Sequence, residues 1–277
     1  MKLKRMANLT FIATSLFTAM AFAQGTKEVM LDPIMKAVSD PARSEQSVRD
    51  EYRHPVETLK FLGLKEDMTV VEIWPGGGWY TSIINPIVKE KGKLYGANFF
   101  MHDDAPGYYK RSLESFNKKI AENPVFAGIE VTEFHPTKSD NIAPQGSADM
   151  VLTFRNLHNW YMGDGDKGVE MSFKAFYKAL KKGGVLGVVD HRMPESIDQE
   201  DNKFSGYMKQ SYAIKMAQKA GFKLVGTSEI NANSKDTAQH PKGVWTLPPR
   251  LALGEEDKAK YQAIGESDRM TLKFVKE

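Results

Sequence analysis

The sequence predicts an α/β fold with a doubly wound, mostly parallel sheet of seven strands. Short apolar and β-branched runs alternate with segments of helical periodicity through five units, and this alternation favours a parallel sheet covered by helices. One run, 149–154, is nearly all apolar, as buried parallel strands are. The last run, 270–275, alternates apolar and polar residues, which predicts a terminal antiparallel strand. A helical lead-in over 24–66 precedes the sheet.

Residues 1–23 have the pattern of a cleavable secretory signal peptide. Three basic residues open the segment, an apolar stretch follows over 9–20, and Ala-Phe-Ala at 21–23 resembles a cleavage site. The apolar stretch is too short for a transmembrane helix, although an uncleaved amphipathic anchor is the alternative. We therefore expect a single mature domain, 24–277, that is periplasmic or secreted and not stably inserted in a membrane.

Composition and charge restrict the classes of partner. The leader holds three of the 38 Lys and Arg residues, so the basic residues that remain equal the 35 Asp and Glu residues in number. No polybasic run remains, which argues against nucleic acid and anionic membranes as partners. The chain has no Cys, which excludes disulfides and thiolate metal sites. A small molecule is the partner that we expect.

The stretch 70–81 is the strongest functional signal in the chain. A β-branched run carries Glu72 near its end, and a loop with three consecutive glycines leads into a helix. Glycines allow positive φ and a close backbone approach to a ligand. A helix N-terminus favours a carboxylate or phosphate, and Glu72 suits a cationic amine or hydroxyl groups. The alternative is an ordinary turn between a strand and a helix.

The remaining elements alternate as the fold class requires. In order, the pattern predicts a helix over 81–89, a strand over 93–97, a helix over 106–122, strands over 129–134 and 149–154, a helix over 166–182, a strand over 185–190, a helix over 205–220, a strand over 222–230 and a polar insertion over 231–249.

Polar side chains follow two of the apolar strands directly. Asn156, His158 and Asn159 come after the fourth strand, and Asp190 and His191 come at the end of the fifth. Ligands of doubly wound sheets bind outside the carboxyl ends of the strands, so these residues should meet the glycine loop there. A neutral imidazole can accept a proton near pH 7, which makes His158 the candidate general base.

Less specific interpretations stay open for the same residues. Asn156 and Asn159 could cap the next turn, and Asp190 could form a structural pair with His191. A metal-assisted hydrolase would combine His158, Asp190 and His191 with His102. The sequence shows no local spacing typical of such a site, so we predict no metal.

A charged cluster in the lead-in is a further candidate. Arg49 with Arg53, and Asp50 with His54, are spaced by four residues, which places each pair on one face of a helix. Pro55 should kink that helix or open a new one. The cluster could form a rim over the glycine loop, and the alternative is a solvated helix face.

The glycine stretch resembles motif I of class I S-adenosylmethionine (SAM) methyltransferases. The spacing is Glu72-x-Trp74-x-Gly76-x-Gly78, in which Trp74 stands where the family has its first glycine. Asn98 stands at the end of the second strand, where the family usually carries an acid for the ribose hydroxyls. The chain is also similar to a group of exported proteins predicted to be methyltransferases, through the segments 155–160, 190–192 and 264–274.

This resemblance implies a Rossmann-like methyltransferase fold and SAM as cofactor. It implies that the cofactor contacts are Glu72, Pro75, Gly76, Gly77, Gly78 and Asn98. His158, supported by Asn156 and Asn159, would then act on a small-molecule acceptor next to the transferable methyl group. Because a fold does not fix a function, an exported, non-catalytic protein that binds a small ligand is the alternative.

Overall fold

The computed structural model of the protein describes residues 32–277, which fold around one mixed sheet. The strands, in chain order, are β1 Thr69–Ile73, β2 Lys93–Phe99, β3 Glu130–Phe134, β4 Ala148–Phe154, β5 Leu180–Met193, β6 Met208–Lys209, β7 Phe222–Ser228 and β8 Arg269–Lys276. The predicted signal peptide and residues 24–31 lie outside the described residues.

The helices cover both faces of the sheet. They are α1 Pro33–Val38, α2 Ser44–Ser47, α3 Asp50–Arg53, α4 Pro55–Leu62, α5 Thr81–Val88, α6 Gly107–Glu122, α7 Leu157–Ala179, α8 Gln210–Lys219 and α9 Lys258–Ile264. Among residues 32–277, no helix combines the length and the apolar character that crossing a membrane requires.

The strand order confirms the predicted fold class. Seven strands lie side by side in the order β3-β2-β1-β4-β5-β8-β7, and β8 is antiparallel to both of its neighbours. The short strand β6, which the sequence did not predict, pairs with β5. The chain builds outward from β1 in one direction and then from β4 in the other. The switch point, where ligands of such sheets bind, therefore lies between the carboxyl ends of β1 and β4.

Apolar side chains explain why these elements form and pack. Val71 and Ile73 of β1 face one core, and Phe173 and Phe176 of α7 pack into the same core with no exposed surface. The predicted helical spacing of these phenylalanines is therefore confirmed. On the other face of the sheet, the apolar residues of α5 pack against Val70 of β1 and against α4.

Two helices begin at positions that differ from the prediction. Helix α7 begins at Leu157, nine positions before the predicted start, and bends at Gly165, where φ is +59°. Because the glycines at this bend interrupt the helical sequence pattern, the first two turns of the helix were not predicted. Helix α8 begins at Gln210 because Gly206, with φ of +78°, and β6 interrupt the predicted helix.

The lead-in and the insertion both fold against the sheet. The lead-in is a series of short helices, and the left-handed backbone of His54, with φ of +39°, separates α3 from α4 at Pro55. The insertion 231–249 contains one short 3-10 helix, Gly243–Thr246. The buried Asp236 carboxylate holds it by accepting hydrogen bonds from the Tyr207 hydroxyl and the Asp268 backbone N–H.

Candidate functional site

A cavity of about 660 Å³ opens at the carboxyl ends of β1, β4 and β5. The loop after β1 and the turn after β4 form its floor, and α2, α3 and residues 244–250 of the insertion contribute to its walls. This volume is within the usual range for small-molecule sites, about 300–1,000 Å³. The position agrees with the binding crevice that the strand order predicts.

The glycine loop contributes three of its four predicted residues to the cavity: Pro75, Gly76 and Gly77 line it, whereas Gly78 does not. A Cβ at Gly77 would meet nothing within 4 Å, so this part of the loop is open to a ligand. A Cβ at Gly78 would lie 2.6 Å from the Phe126 ring, and φ there is +77°. Gly78 is therefore required by packing under the loop and not by contact with the cavity.

Glu72 lies at the end of β1 and lines the same cavity. Its side chain is 3% exposed, and it accepts a hydrogen bond from the Thr81 hydroxyl at 2.6 Å. Burial raises the pKa of Glu72 to about 7, although Thr81 and the Arg155 guanidinium oppose this shift. The carboxyl group is therefore poised between its neutral and charged forms near neutral pH.

Asn98, the expected ribose contact, does not line the cavity. It is fully buried, its side-chain oxygen accepts the Phe99 N–H at 2.8 Å, and its Nδ2 has no partner among residues 32–277. Trp74 accounts for this difference. Its left-handed backbone, with φ of +45°, directs the indole toward the ends of β2 and β3, where Nε1–H donates to the Phe134 carbonyl at 3.0 Å.

An aromatic group then fills the ends of β2 and β3. It consists of Trp74, Phe99, Tyr109, Phe134 and Trp160, all of which are at least nine-tenths buried. The Trp74 ring lies 4.7 Å from Phe99 and 5.8 Å from Trp160, measured between ring centroids. The two residues that differ from the methyltransferase motif, Trp74 and Asn98, are thus linked through this aromatic group. The cavity lies instead over the ends of β1, β4 and β5.

His158 forms a buried pair with Asp190. The side chain of His158 is 6% exposed, and its Nδ1 lies 2.9 Å from Asp190 Oδ1. Asp190 also accepts the backbone N–H of His191 at 2.7 Å and that of Leu157 at 2.6 Å. Because a carboxylate only accepts hydrogen bonds, we assign the proton of the neutral ring to Nδ1, which leaves Nε2 as its basic nitrogen.

His191 has a different role from its neighbour. Its Nδ1 lies 2.5 Å from the Ser267 hydroxyl, and its contact with Asp190 is through the backbone. Burial lowers the pKa of His191 well below its ordinary value, and His158 nearby lowers it further. The ring is therefore neutral, and Asp190 is joined to His191 through a backbone hydrogen bond and to His158 through the ring.

A metal ion at His158, Asp190 and His191 would have to compete with hydrogen bonds that these residues already make. Ligand atoms of His158, Asp190 and His191 lie within 4.8 Å of one another. However, both Asp190 oxygens already accept N–H groups. His102 is not part of the group, since its ring contacts Lys138 at 2.9 Å. The pair formed by His158 and Asp190 thus fits proton transfer better than metal coordination.

The two asparagines line the cavity but bind backbone groups. Asn156 donates to the carbonyl of Ile73 at 2.8 Å and so ties the end of β1 to the turn after β4. Asn159 donates to the carbonyl of Arg155 at 3.4 Å. Neither amide contacts His158, and Asp190 is the residue that orients its ring. The sequence thus predicted the position of the asparagines and missed this partner of His158.

Five arginines line the cavity, and four of them are here called the arginine cluster: Arg49, Arg53, Arg155 and Arg269. The sequence allowed Arg49 and Arg53 to form a rim over the glycine loop, with a solvated helix face as the alternative. Arg53 is instead 1% exposed and lies over the Trp79 ring, 4.5 Å from its centroid.

Comparisons with known proteins extend this description. No protein-family model matches the chain, and no curated protein matches it. The [4+2]-cyclase SpnF matches at 14% identity and a TM-score of 0.52, over 88% of this chain and 92% of that one. The SAM-dependent methyltransferase SibL in its apo form matches at 14% identity and 0.50, over 88% and 61%. A possible exported protein from Bordetella parapertussis matches at 12% and 0.51, over 83% and 68%.

These matches and the strand order define the class of fold. The described chain has the Rossmann-like fold of class I SAM-dependent methyltransferases. At these identities the likeness shows the fold alone, and the same fold includes a protein named as a cyclase. The reaction of this protein therefore has to be inferred from its cavity.

Proposed function

We propose that the protein is a SAM-dependent methyltransferase that acts on a small-molecule acceptor in the cell envelope. One observation carries this proposal: the glycine loop, Glu72 and His158, whose ring is held by Asp190, line a single cavity. Methyl transfer requires an aligned donor and nucleophile and, for a weakly acidic acceptor, a base. The export signal at 1–23 is the basis for the proposed location.

The lining residues fit the amino-acid end of SAM. Gly76 and Gly77 allow the backbone a close approach to the carboxylate end of a ligand, and Glu72 can accept hydrogen bonds from its ammonium group. When bound, SAM would supply an electrophilic methyl group. Asn98 does not offer the ribose contact expected from the resemblance, because its buried amide does not reach the cavity.

His158 is the proposed general base. Its Nε2 can accept the proton of an O–H or N–H acceptor, while Asp190 holds Nδ1–H and stabilises the imidazolium that forms. Asp190 is thus a positioning residue, held in turn by the N–H groups at the start of α7 and in β5. General-base assistance of this kind contributes a factor of about 10²–10⁴ in rate.

A second function is favoured by the aromatic group at the ends of β2 and β3. This group fills space next to Asn98, so the cavity could instead hold a smaller ligand without methyl transfer. The protein would then be an exported binding protein with a methyltransferase fold. Binding of SAM distinguishes the two functions.

Calorimetric titration with SAM and with S-adenosylhomocysteine tests the proposal. We expect both to bind the wild type, and we expect Gly77→Val to weaken both, because the added side chain would enter the open space beside the loop. Gly163→Ala is the matched control, since a Cβ there also meets nothing within 4 Å but lies outside the cavity. If neither compound binds the folded wild type, the methyltransferase proposal fails and the binding-protein function replaces it.

A further inference from the structure

The arginine cluster carries more positive charge than its surroundings neutralise. One carboxylate, Glu266, contacts three of the four guanidinium groups: it lies 2.5 Å from Arg49 and 3.3 Å from Arg53, and it contacts Arg269. The Arg155 side chain makes no hydrogen bond within residues 32–277, although it lines the cavity. Of the charged residues that line the cavity, six are basic and three are acidic (Glu45, Glu72 and Glu266), which leaves about three to four uncompensated positive charges, depending on the ionisation of Glu72.

Several donors of the cluster are buried without a partner. Both terminal nitrogens of Arg53, Nη2 of Arg49 and Nε of Arg269 have no hydrogen-bond acceptor within residues 32–277. Buried polar groups in folded proteins nearly always have partners, and an unpaired buried charge is especially unfavourable. Arg53, at 1% exposed, is fixed by Glu266 on one side and by the Trp79 ring below it. These donors form a rigid site whose acceptor is not supplied by the described chain.

The electrostatics of Arg53 point in the same direction. Burial lowers the pKa of Arg53 to about 8, and Arg155 is the next largest cause, followed by the opposing effect of Glu266. Burial also lowers the pKa of Arg155 to about 10, with a contribution from Arg269. A second anion beside these groups would stabilise their charged forms. Arginine is suited to this role because its planar group binds carboxylates and phosphates through two parallel hydrogen bonds.

The cofactor alone does not provide this balance. SAM carries an ammonium group, a carboxylate and a sulfonium, so it brings a net charge of one positive into the cavity. Its carboxylate could pair with one guanidinium, but its two cationic centres would leave the excess larger than before. The missing negative charge therefore has to come from the second substrate.

We propose that the acceptor is an anionic small molecule whose carboxylate or phosphate group binds the arginine cluster. Arg49, Arg53, Arg155 and Arg269 would hold this group, so that the reacting atom faces His158, which lines the same cavity. The identification of this anion as the methyl acceptor rests on the proposed function. The anion site itself depends only on the arginine geometry, so the two can fail separately.

Titration of the purified protein with sodium phosphate and with sodium benzoate tests the anion site. Both are measured at constant ionic strength in sodium chloride, alone and with saturating S-adenosylhomocysteine. We expect at least one anion to bind, and the tighter of the two identifies the class of acceptor. Arg155→Gln should weaken that binding about tenfold or more, since a hydrogen bond to a charged group is lost.

Variants separate binding from folding. Arg49→Gln, at a half-buried position, should weaken the anion in the same way as Arg155→Gln, and Arg111→Gln on the exposed face of α6 should not. Equal anion binding by the wild type and both cavity variants would overturn the inference. So would binding of S-adenosylhomocysteine without binding of either anion. Binding of an anion without S-adenosylhomocysteine would support the anion site and refute the methyltransferase proposal.

Discussion

Replacing Asp190 by Asn tests how the structure prepares His158 for proton transfer. In the wild type, the carboxylate accepts N–H groups from Leu157 at 2.6 Å, His158 at 2.9 Å and His191 at 2.7 Å. An Asn side chain offers one acceptor oxygen and an NH₂ group, so at least one of these donors then faces another donor. The site is 1% exposed, which prevents water from replacing the lost acceptor.

Two outcomes of Asp190→Asn follow from this geometry. If the ring keeps its tautomer, a buried donor is left unpaired, and the free energy of unfolding should fall by about 1–3 kcal/mol. If the His158 proton moves to Nε2, Nδ1 can accept from the new NH₂ group, but the His191 N–H, which shares Oδ1 with His158, then loses its acceptor and stability still falls. The base at Nε2 is then lost, and turnover should fall by a factor of about 10²–10⁴ once an acceptor is known.

Urea denaturation and nitrogen NMR of the histidine rings distinguish these outcomes. We expect the wild type to show His158 protonated at Nδ1, and the variant to show lower stability with either tautomer. Asp103→Asn, at an exposed position, is the control and should change neither property. A wild-type ring protonated at Nε2, or an Asp190→Asn variant that keeps stability, tautomer and turnover, would refute the role given to Asp190.

Three further predictions address the cavity. The folded-state pKa of Glu72 is about 7 against an ordinary 4.5, so the folded state binds more protons between these values and its stability falls as pH rises through that window. Glu72→Gln should remove about 3 kcal/mol of this pH dependence in denaturation between pH 4.5 and 8. Gly78→Ala should destabilise the fold by about 1–3 kcal/mol because its Cβ meets Phe126 in a left-handed backbone, whereas Gly77→Ala should change the denaturation midpoint little. His158→Ala should leave the calorimetric dissociation constant of SAM nearly unchanged while turnover falls, and a loss of SAM binding would make His158 a cofactor contact instead.

Local patterns in the sequence were sufficient to predict the sheet. Strands β1, β2, β4 and β5 contain apolar runs between turn signals, and the alternation of strands and helices restricts the topology to a doubly wound sheet. The same periodicity identified the buried face of α7 through Phe173 and Phe176. The start of α7 was missed because Gly163 and Gly165 interrupt the pattern there.

The residues that meet in the cavity come from segments far apart in the chain, and a sequence pattern does not show such contacts. Asp190 binds His158 from 32 positions away, and Glu266 reaches Arg53 across 213 positions. Local charge patterns gave no reason to bury Arg53. Asn98 was placed correctly at the end of β2, but the left-handed backbone of Trp74 excludes it from the cavity, and that conformation is not evident from the residue type.

A crystal structure of the protein with S-adenosylhomocysteine would test the central claim most directly. The proposed function predicts that the amino-acid end of the product lies on Gly76 and Gly77 and that its sulfur faces the part of the cavity lined by His158. It also predicts that the space beside Arg155 stays open for the acceptor. A product bound outside this cavity, or one whose sulfur is separated from His158 by protein side chains, would contradict the assignment of this site to methyl transfer.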